Sequence, residues 1–172
     1  TQHLLQTYLA VNNAHCSNTI KEIKSLGKGE FGEVALYKDR KGLNHAVKKI
    51  KNQKQVTKAA KKEIHILQIL NRNDPSNKYN IIRMRGHYLN GTHQCIIFEP
   101  LAYNLYELIK KTNHKGVSLY LTCKFGIQLL NALQFLKTQG IIHTDIKPEN
   151  IMVCHPRRAK IKLIDFGSSC FI

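Results

Sequence analysis

The sequence predicts an α+β fold in two parts, an antiparallel sheet with one inserted helix followed by a mainly helical segment. Alternating apolar residues, separated by glycine- and asparagine-containing turns, recur up to residue 98. A helical period interrupts them at residues 53–70, and helical patterns dominate after Pro100. A composition break predicts a hinge at residues 99–102. The first lobe is then 19–98, the second is 103–172, and residues 1–18 form a flanking segment.

The first part is predicted to contain five strands. We expect them at residues 19–26, 34–37, 45–50, 81–88 and 94–98. Gly42 marks the turn between the second and third strands, and Asn90-Gly91 marks a hairpin between the last two. The inserted helix places Ala60, Ile64, Leu67 and Leu70 on one face.

The second part begins with two helices. Asn104 is positioned to cap a short helix through Lys110, and Ser118 precedes a longer helix that Gly140 ends. The apolar face of the longer helix is predicted to contain Leu121, Phe125, Leu129, Leu133 and Leu136. Two short strands, residues 151–154 and 161–164, flank a turn around Pro156.

Composition favours a soluble globular protein with 42% hydrophobic and 22% charged residues. Neither a basic-then-apolar leader nor an apolar run long enough to cross a membrane is visible in the sequence. The five cysteines are scattered, which disfavours a disulfide framework and a zinc site. We therefore expect an intracellular monomer, in the cytoplasm or the nucleus, without a membrane partner.

The net charge of +16 raises the question of an acidic partner. Seven lysines lie between Lys48 and Lys62. Nucleic acid is one interpretation, but no aromatic residue in this stretch could stack on bases. A solvated helix face is the favoured interpretation.

A glycine motif, Gly27-x-Gly29-x-x-Gly32, follows the first predicted strand. In a dinucleotide-binding fold this motif would open a helix. Here it leads into the β-like run 34–37, so the loop joins two strands. Glycines let a backbone approach a phosphate chain closely. A plain glycine-rich hairpin remains the alternative for this motif taken alone.

Lys48 lies within an apolar strand, where an ammonium group is costly unless it is paired. Glu63, on the core-facing side of the next helix, is the only acid between Gly42 and Asp74. The pattern predicts an ion pair between Lys48 and Glu63, with an exposed strand lysine as the alternative.

The most informative segment reads His143-Thr144-Asp145-Ile146-Lys147-Pro148-Glu149-Asn150, with Asp165-Phe166-Gly167 fifteen residues further on. Phosphoryl transfer needs a carboxylate base, oxygen ligands for Mg²⁺ and a nearby cation. Asp145 suits the base, Asn150 and Asp165 suit the metal, and Lys147 suits the cation. A polar loop would not explain two polar ligands at adjacent strand ends.

These motifs resemble those of eukaryotic protein kinases. The details are similar to the dual-specificity tyrosine-phosphorylation-regulated kinases. The similar segments are residues 98–108, Gly116-Val117-Ser118-Leu119, Ile141-Ile142-His143, residues 147–151 and Asp165-Phe166-Gly167-Ser168-Ser169-Cys170. The resemblance covers about residues 20–170, nearly the whole chain.

The resemblance implies a bilobal kinase fold whose large lobe is truncated here. It also implies transfer of the γ-phosphate of ATP, with Mg²⁺, to serine or threonine of protein substrates, with tyrosine autophosphorylation as an option. The implied ATP-covering residues are Leu26, Gly27, Lys28, Gly29, Glu30, Phe31, Gly32, Glu33 and Val34. Lys48 would hold the α- and β-phosphates. The adenine contacts would come from the backbone of Glu99 and Leu101, from Phe98 as gatekeeper, and from Val34, Ala46 and Met152. Leu67, His143 and Phe166 would stack as an internal spine.

Two departures from the kinase pattern bear on function. Thr144 stands where most kinases have an arginine, so it cannot clamp a phosphorylated loop as a guanidinium would. The missing start methionine and the end at Ile172 predict a fragment, inactive alone, that exposes an apolar helix face.

A pseudokinase scaffold is the alternative function, disfavoured because Lys48, Asp145 and Asp165 are all present.

Overall fold

An antiparallel sheet of five strands forms the N-terminal half of the structure, a computed structural model that describes residues 20–172. The strands are β1 (Ile20–Lys28), β2 (Gly32–Asp39), β3 (Asn44–Ile50), β4 (Met84–Asn90) and β5 (His93–Phe98), in the order β1-β2-β3-β5-β4. The five predicted strands and the α+β fold class are confirmed. The predicted flanking segment 1–18 lies outside the described residues.

One helix, α1 (Lys54–Asn73), is inserted between β3 and β4. It runs three residues beyond the predicted end, and its buried residues Ile66, Leu67 and Leu70 continue the apolar stripe. The connection after the helix is shifted by three residues, from the expected 71–80 to 74–83.

The fourth strand begins at Met84, and the prediction that it begins at Ile81 was wrong. Ile81 instead forms a parallel bridge with Leu163, and the Ile82 N–H donates to the Leu163 carbonyl at 3.0 Å. Residues 65–82, placed in the first lobe by sequence, accordingly group with residues 101–172. The other compact unit contains residues 20–64 and 83–100.

The sheet of the first unit has two differently used faces. Val47, Cys95 and Ile97 form a buried cluster on one face, with Tyr37 and Tyr88 packed against it. Pairing across the strands places Ala46 opposite Phe98 and Lys48 opposite Val34. Directly paired residues share a face, so these four residues lie on the other face.

Besides the C-terminal part of α1, the second unit contains two helices, one 3₁₀ helix and three short strand pairings. Its elements are β6 (Tyr103–Asn104), α2 (Leu105–Lys111), α3 (Leu119–Thr138), β7 (Ile141–Ile142), a 3₁₀ helix (Pro148–Asn150), β8 (Ile151–His155), β9 (Arg158–Leu163) and β10 (Cys170–Phe171). β6, β8 and β9 form one sheet, while β7 pairs with β10. The sequence patterns did not predict β6, β7 or β10.

Local capping chemistry explains where both helices begin. The Asn104 side chain accepts the Glu107 N–H at 2.7 Å, and Glu107 accepts the Asn104 N–H in return. Ser118 Oγ accepts the Leu121 N–H at 3.3 Å. Both predicted caps are therefore confirmed. Gly140, with φ of +64°, follows the end of α3.

The buried face of α3 differs in detail from the prediction. Phe125, Ala132, Phe135 and Leu136 are buried, whereas the predicted core residues Leu121, Leu129 and Leu133 are half-buried. Within residues 20–172, no helix has both the length and the apolar character needed to span a membrane.

Candidate active site

The ion pair predicted between Lys48 and Glu63 is present in the first unit. Lys48 Nζ donates to Glu63 Oε2 at 2.9 Å, and the two side chains are only 14% and 3% exposed. Lys48 extends from the middle of β3, while Glu63 lies on α1. The carboxylate therefore fixes the ammonium group on the sheet face that also carries Val34, Ala46 and Phe98.

The glycine motif forms the connection between β1 and β2, as predicted. The Gly29 N–H donates to the Gly32 carbonyl at 2.8 Å, which closes the turn. Gly32 has φ of +154°, and a Cβ atom there would lie 2.1 Å from the Lys49 carbonyl oxygen. Only glycine fits at this position. Of the other predicted loop residues, Leu26, Gly27, Lys28, Gly29, Glu30 and Phe31 are exposed, while Glu33 and Val34 are half-buried.

The strand end after β5 carries two of the predicted adenine-contacting residues. Phe98 is 9% exposed. Glu99 is tied to the segment before β4 by two bonds: its N–H donates to the Arg83 carbonyl at 3.1 Å, and its Oε1 accepts the Arg83 N–H at 2.8 Å. The backbone at Glu99 therefore has a defined position in the first unit.

Two further predicted nucleotide contacts belong to the second unit. Met152 is half-buried on β8, paired with Asn104. Leu101 precedes β6, and the next residue, Ala102, donates its N–H to the Val153 carbonyl at 2.9 Å.

The predicted base, Asp145, is held through one carboxylate oxygen. Lys147 Nζ lies 2.9 Å from Asp145 Oδ2, and Asn150 Nδ2 donates to the same oxygen at 2.8 Å. The Lys147 bond, with a smaller contribution from Asn150, lowers the pKa of Asp145 below its ordinary value. The same contact raises the pKa of Lys147. Asp145 is therefore ionised at neutral pH, and Oδ1 is the oxygen left to accept a proton.

The two predicted metal ligands lie at neighbouring strand ends, as the sequence predicts. Ile151 at the start of β8 pairs with Leu163 at the end of β9, and the Ile164 N–H donates to the Asn150 carbonyl at 2.9 Å. This register places Asn150, directly before β8, and Asp165, two residues after β9, at the same end of the two paired strands.

The donor chemistry of this pair fits Mg²⁺. Asn150 donates both amide hydrogens to Asp145, at 2.9 Å to the carbonyl and 2.8 Å to Oδ2. Its amide oxygen and the Asp165 carboxylate are then hard oxygen ligands of the kind that Mg²⁺ prefers.

Backbone strain coincides with this site. Thr144 and Asp165 have φ of +69° and +61°, values that non-glycine residues adopt rarely. Such strain persists where surrounding contacts impose it, and it is concentrated at functional sites.

The predicted stacking of His143 and Phe166 is present in the second unit. Their ring centroids are 4.9 Å apart in an edge-to-face arrangement, and both residues, like Leu67, are buried. His143 Nε2 contacts the Ile164 carbonyl at 2.9 Å, and Nδ1 contacts the Asp145 N–H at 3.3 Å. A carbonyl only accepts, so His143 carries its proton on Nε2.

Ser169 is a site residue whose contact the sequence reasoning missed. It is fully buried, and its Oγ donates to the His143 carbonyl at 3.0 Å. This bond secures the backbone two residues before Asp145. The available signal was its place two residues after Gly167, in the segment Ser168-Ser169-Cys170.

Comparison with known proteins assigns the chain to a family. Residues 20–172 match the family model described as the protein kinase domain. Relatives include a dual specificity tyrosine-phosphorylation-regulated kinase 3 homolog of Drosophila melanogaster, 45% identical, and the human dual specificity tyrosine-phosphorylation-regulated kinase 4, 41% identical. The serine/threonine-protein kinase ppk5 of Schizosaccharomyces pombe is 42% identical.

Each of these alignments covers 95% of this chain but only 20%, 32% and 20% of the respective relatives. The chain thus spans between a fifth and a third of the length of the curated relatives it matches. Because the family model matches residues 20–172, well over half of the chain, the chain belongs to the protein kinase domain family.

Proposed function

We propose that the protein is a protein kinase that uses ATP and Mg²⁺ to phosphorylate serine or threonine residues of other proteins. One observation carries the proposal: Asp145 is anchored through Oδ2 by Lys147 and Asn150 while its ionised carboxylate stays partly exposed. The names of the relatives, which include dual-specificity and serine/threonine kinases, support the same class.

In this proposal Asp145 accepts the proton of the substrate hydroxyl as the hydroxyl oxygen attacks the γ-phosphorus of ATP. The bond from that phosphorus to the bridging oxygen of the β-phosphate breaks, and ADP leaves. The lowered pKa of Asp145 keeps the base ionised at neutral pH. Lys147, beside the base, stabilises negative charge that develops on the transferred group. Anchoring through one oxygen orients the carboxylate before the reaction, and such positioning lowers the barrier without new covalent chemistry.

The nucleotide contacts are assigned residue by residue. Lys48, oriented by Glu63, would hold the α- and β-phosphates, and the Gly27–Gly32 loop would cover them. Glu99 and Leu101 would bind the adenine through their backbones. Asn150 and Asp165 would hold Mg²⁺, which supplies positive charge to the phosphates when bound.

The test is Asp145→Asn in the full-length protein, which keeps the size of the side chain and removes the base. We expect phosphate transfer to protein substrates to fall by about 10²-fold or more, the typical contribution of a general base. ATP affinity should stay unchanged, because Asp145 is not assigned a nucleotide contact.

Glu107→Gln is the matched control, since glutamine also serves in a capping box and the residue is exposed. It should leave transfer at the wild-type rate. An Asp145→Asn protein as active as wild type would refute the assignment of the base. A wild-type protein that binds ATP but transfers no phosphate would instead favour the pseudokinase scaffold.

A further inference from the structure

The chain that follows β9 returns to the strand that precedes Asp145. β10 pairs with β7 in antiparallel register, with Cys170 opposite Ile142. One position further, the same register sets Ser169 opposite His143. Strand pairing stops before this position, and a side chain makes the contact there. Ser169 Oγ donates to the His143 carbonyl at 3.0 Å.

Ser169 is also bonded to the segment that carries Asp165. The Ser169 N–H donates to the Phe166 carbonyl at 3.1 Å, and the Phe166 ring packs edge-to-face against the His143 imidazole. Ser169, Phe166 and His143 thus form a closed set of contacts within the second unit, which we name the serine clasp. Each of the three residues is at most 2% exposed, so water does not readily replace a lost hydrogen bond.

The serine clasp lies next to a strained residue. Thr144 has φ of +69°, which non-glycine residues adopt rarely. Two contacts of His143 span this residue. The His143 carbonyl accepts from Ser169, and the Asp145 N–H donates to His143 Nδ1 at 3.3 Å. Strained backbone persists only where surrounding contacts impose it. Loss of the Ser169 contact should therefore let the peptide at Thr144 relax and turn Asp145.

The segment that carries the base is anchored at both ends. At its C-terminal end, the Asn150 carbonyl accepts the Ile164 N–H at 2.9 Å, and the Asn150 amide holds Asp145 Oδ2. At its N-terminal end, the serine clasp holds the His143 carbonyl. Asp145 is two residues from the N-terminal anchor and five from the other, so its backbone orientation depends more directly on Ser169.

We propose that Ser169 is a positioning residue for phosphate transfer, which fixes the backbone at Thr144 and thereby the direction in which Asp145 presents Oδ1. This inference rests on the proposed function, since it assumes that Asp145 is the base. Ser169 touches neither nucleotide nor substrate in this scheme, because it is fully buried. Its loss should therefore slow the chemical step and leave ATP binding unchanged.

The first experiment measures the single-turnover rate of transfer and KM for ATP separately in the full-length protein, with γ-³²P-ATP as donor and casein as acceptor. Ser169→Ala should lower the transfer rate about fivefold, the loss expected for one hydrogen bond, with KM unchanged. Cys170→Ala truncates the exposed neighbour on β10 and should leave both quantities unchanged. A Ser169→Ala protein that transfers phosphate at the wild-type rate would overturn this inference and leave the proposed function standing.

Ser169→Cys separates the hydrogen bond from packing. A thiol fills the space that alanine would leave, but it is only a weak donor. We expect Ser169→Cys to transfer phosphate as slowly as Ser169→Ala, with a thermal stability nearer to that of the wild type. It also serves as the test if Ser169→Ala does not fold. Recovery of the wild-type rate in Ser169→Cys would show that Ser169 acts through its volume, which contradicts the proposal.

A double variant tests whether Ser169 acts through Asp145. In the Asp145→Asn protein there is no base left to orient, so adding Ser169→Ala should lower the residual rate by less than about twofold. A general loss of structure would lower the residual rate about fivefold again, and that result would refute the link. A wild-type protein that binds ATP and transfers no phosphate would overturn the proposed function and this inference with it.

Discussion

Asp145 and His143 lie two residues apart, and both are held in their deprotonated forms, one charged and the other neutral. Lys147 lowers the pKa of Asp145, so its carboxylate is charged. Burial lowers the pKa of His143, so its imidazole is neutral, in spite of the opposing effect of the bond to Ile164. The neutral ring can then donate to the Ile164 carbonyl and accept from the Asp145 N–H at the same time.

This arrangement predicts a pH dependence of stability. The folded-state pKa of His143 lies below its unfolded value of 6.5, so the unfolded state binds more protons as the pH falls. The contribution of His143 to the free energy of unfolding is complete above about pH 6.5. It is lost as the pH falls through the lowered pKa of His143. We expect His143→Gln to flatten the fall in the free energy of unfolding between about pH 7.5 and 5. Denaturation series at several pH values test this, and parallel curves for the two proteins would contradict it.

The Lys48–Glu63 pair predicts that replacing the lysine alone destabilises the protein more than replacing both residues. Lys48→Met leaves the Glu63 carboxylate, 3% exposed, without this cation and should cost about 3 kcal/mol of the free energy of unfolding. Adding Glu63→Leu removes the buried charge and should recover much of that loss. Lys49→Met, at the neighbouring half-exposed lysine, should change stability by less than about 1 kcal/mol. Urea denaturation measures all three; a double variant less stable than Lys48→Met would refute the argument.

At the scale of elements, the turn between β1 and β2 depends on one glycine. A Cβ at Gly32 would overlap the Lys49 carbonyl on β3, which is backbone and cannot move aside cheaply. Gly32→Ala should therefore reduce the free energy of unfolding by about 2–3 kcal/mol. Gly27→Ala is the matched control, because a Cβ there meets nothing within 4 Å. Equal thermal stability of the two variants would show that β2 can shift away from β3.

Elements governed by local chemistry could be predicted from the sequence. Asn104 and Ser118 form caps with residues three positions away, so the signal and the structure lie in one short segment. Asp145, Lys147 and Asn150 likewise meet within six residues. The spacing of Asn150 and Asp165 indicated that they lie at the same strand ends, because the short antiparallel pair β8 and β9 connects them.

Elements governed by distant partners could not be predicted. Ile81 looked like a strand residue, but its bridge partner Leu163 lies 82 positions away in the chain. Lys162 is a second example. A lysine in a short strand indicates an exposed face, yet Lys162 is 2% exposed and donates to Asn77 Oδ1 at 2.7 Å. Its partner is an asparagine with φ of +55°, a conformation that no local pattern indicated.

At the scale of the whole molecule, two properties of the 172-residue chain oppose each other. Its 27 basic and 11 acidic residues give a net charge of +16, which repels a second copy. Yet α3 presents an apolar stripe to solvent, on the side opposite its buried residues. The stripe consists of Leu119, Tyr120, Ile127 and Leu130, which are 79%, 69%, 68% and 66% exposed. Patches of this kind favour association.

The salt concentration should decide whether the charge repulsion or the apolar attraction between two copies prevails. Raising ionic strength from about 50 to 500 mM shortens the Debye length severalfold, so the charge repulsion is screened while the apolar attraction remains. We expect the sedimentation coefficient of the 172-residue chain to rise over this range, and Ile127→Lys to suppress the rise. Leu89→Lys adds the same charge at a leucine 63% exposed on β4, away from the stripe, and should not suppress it. Equal suppression by both variants would mean that total charge, rather than the stripe on α3, controls association.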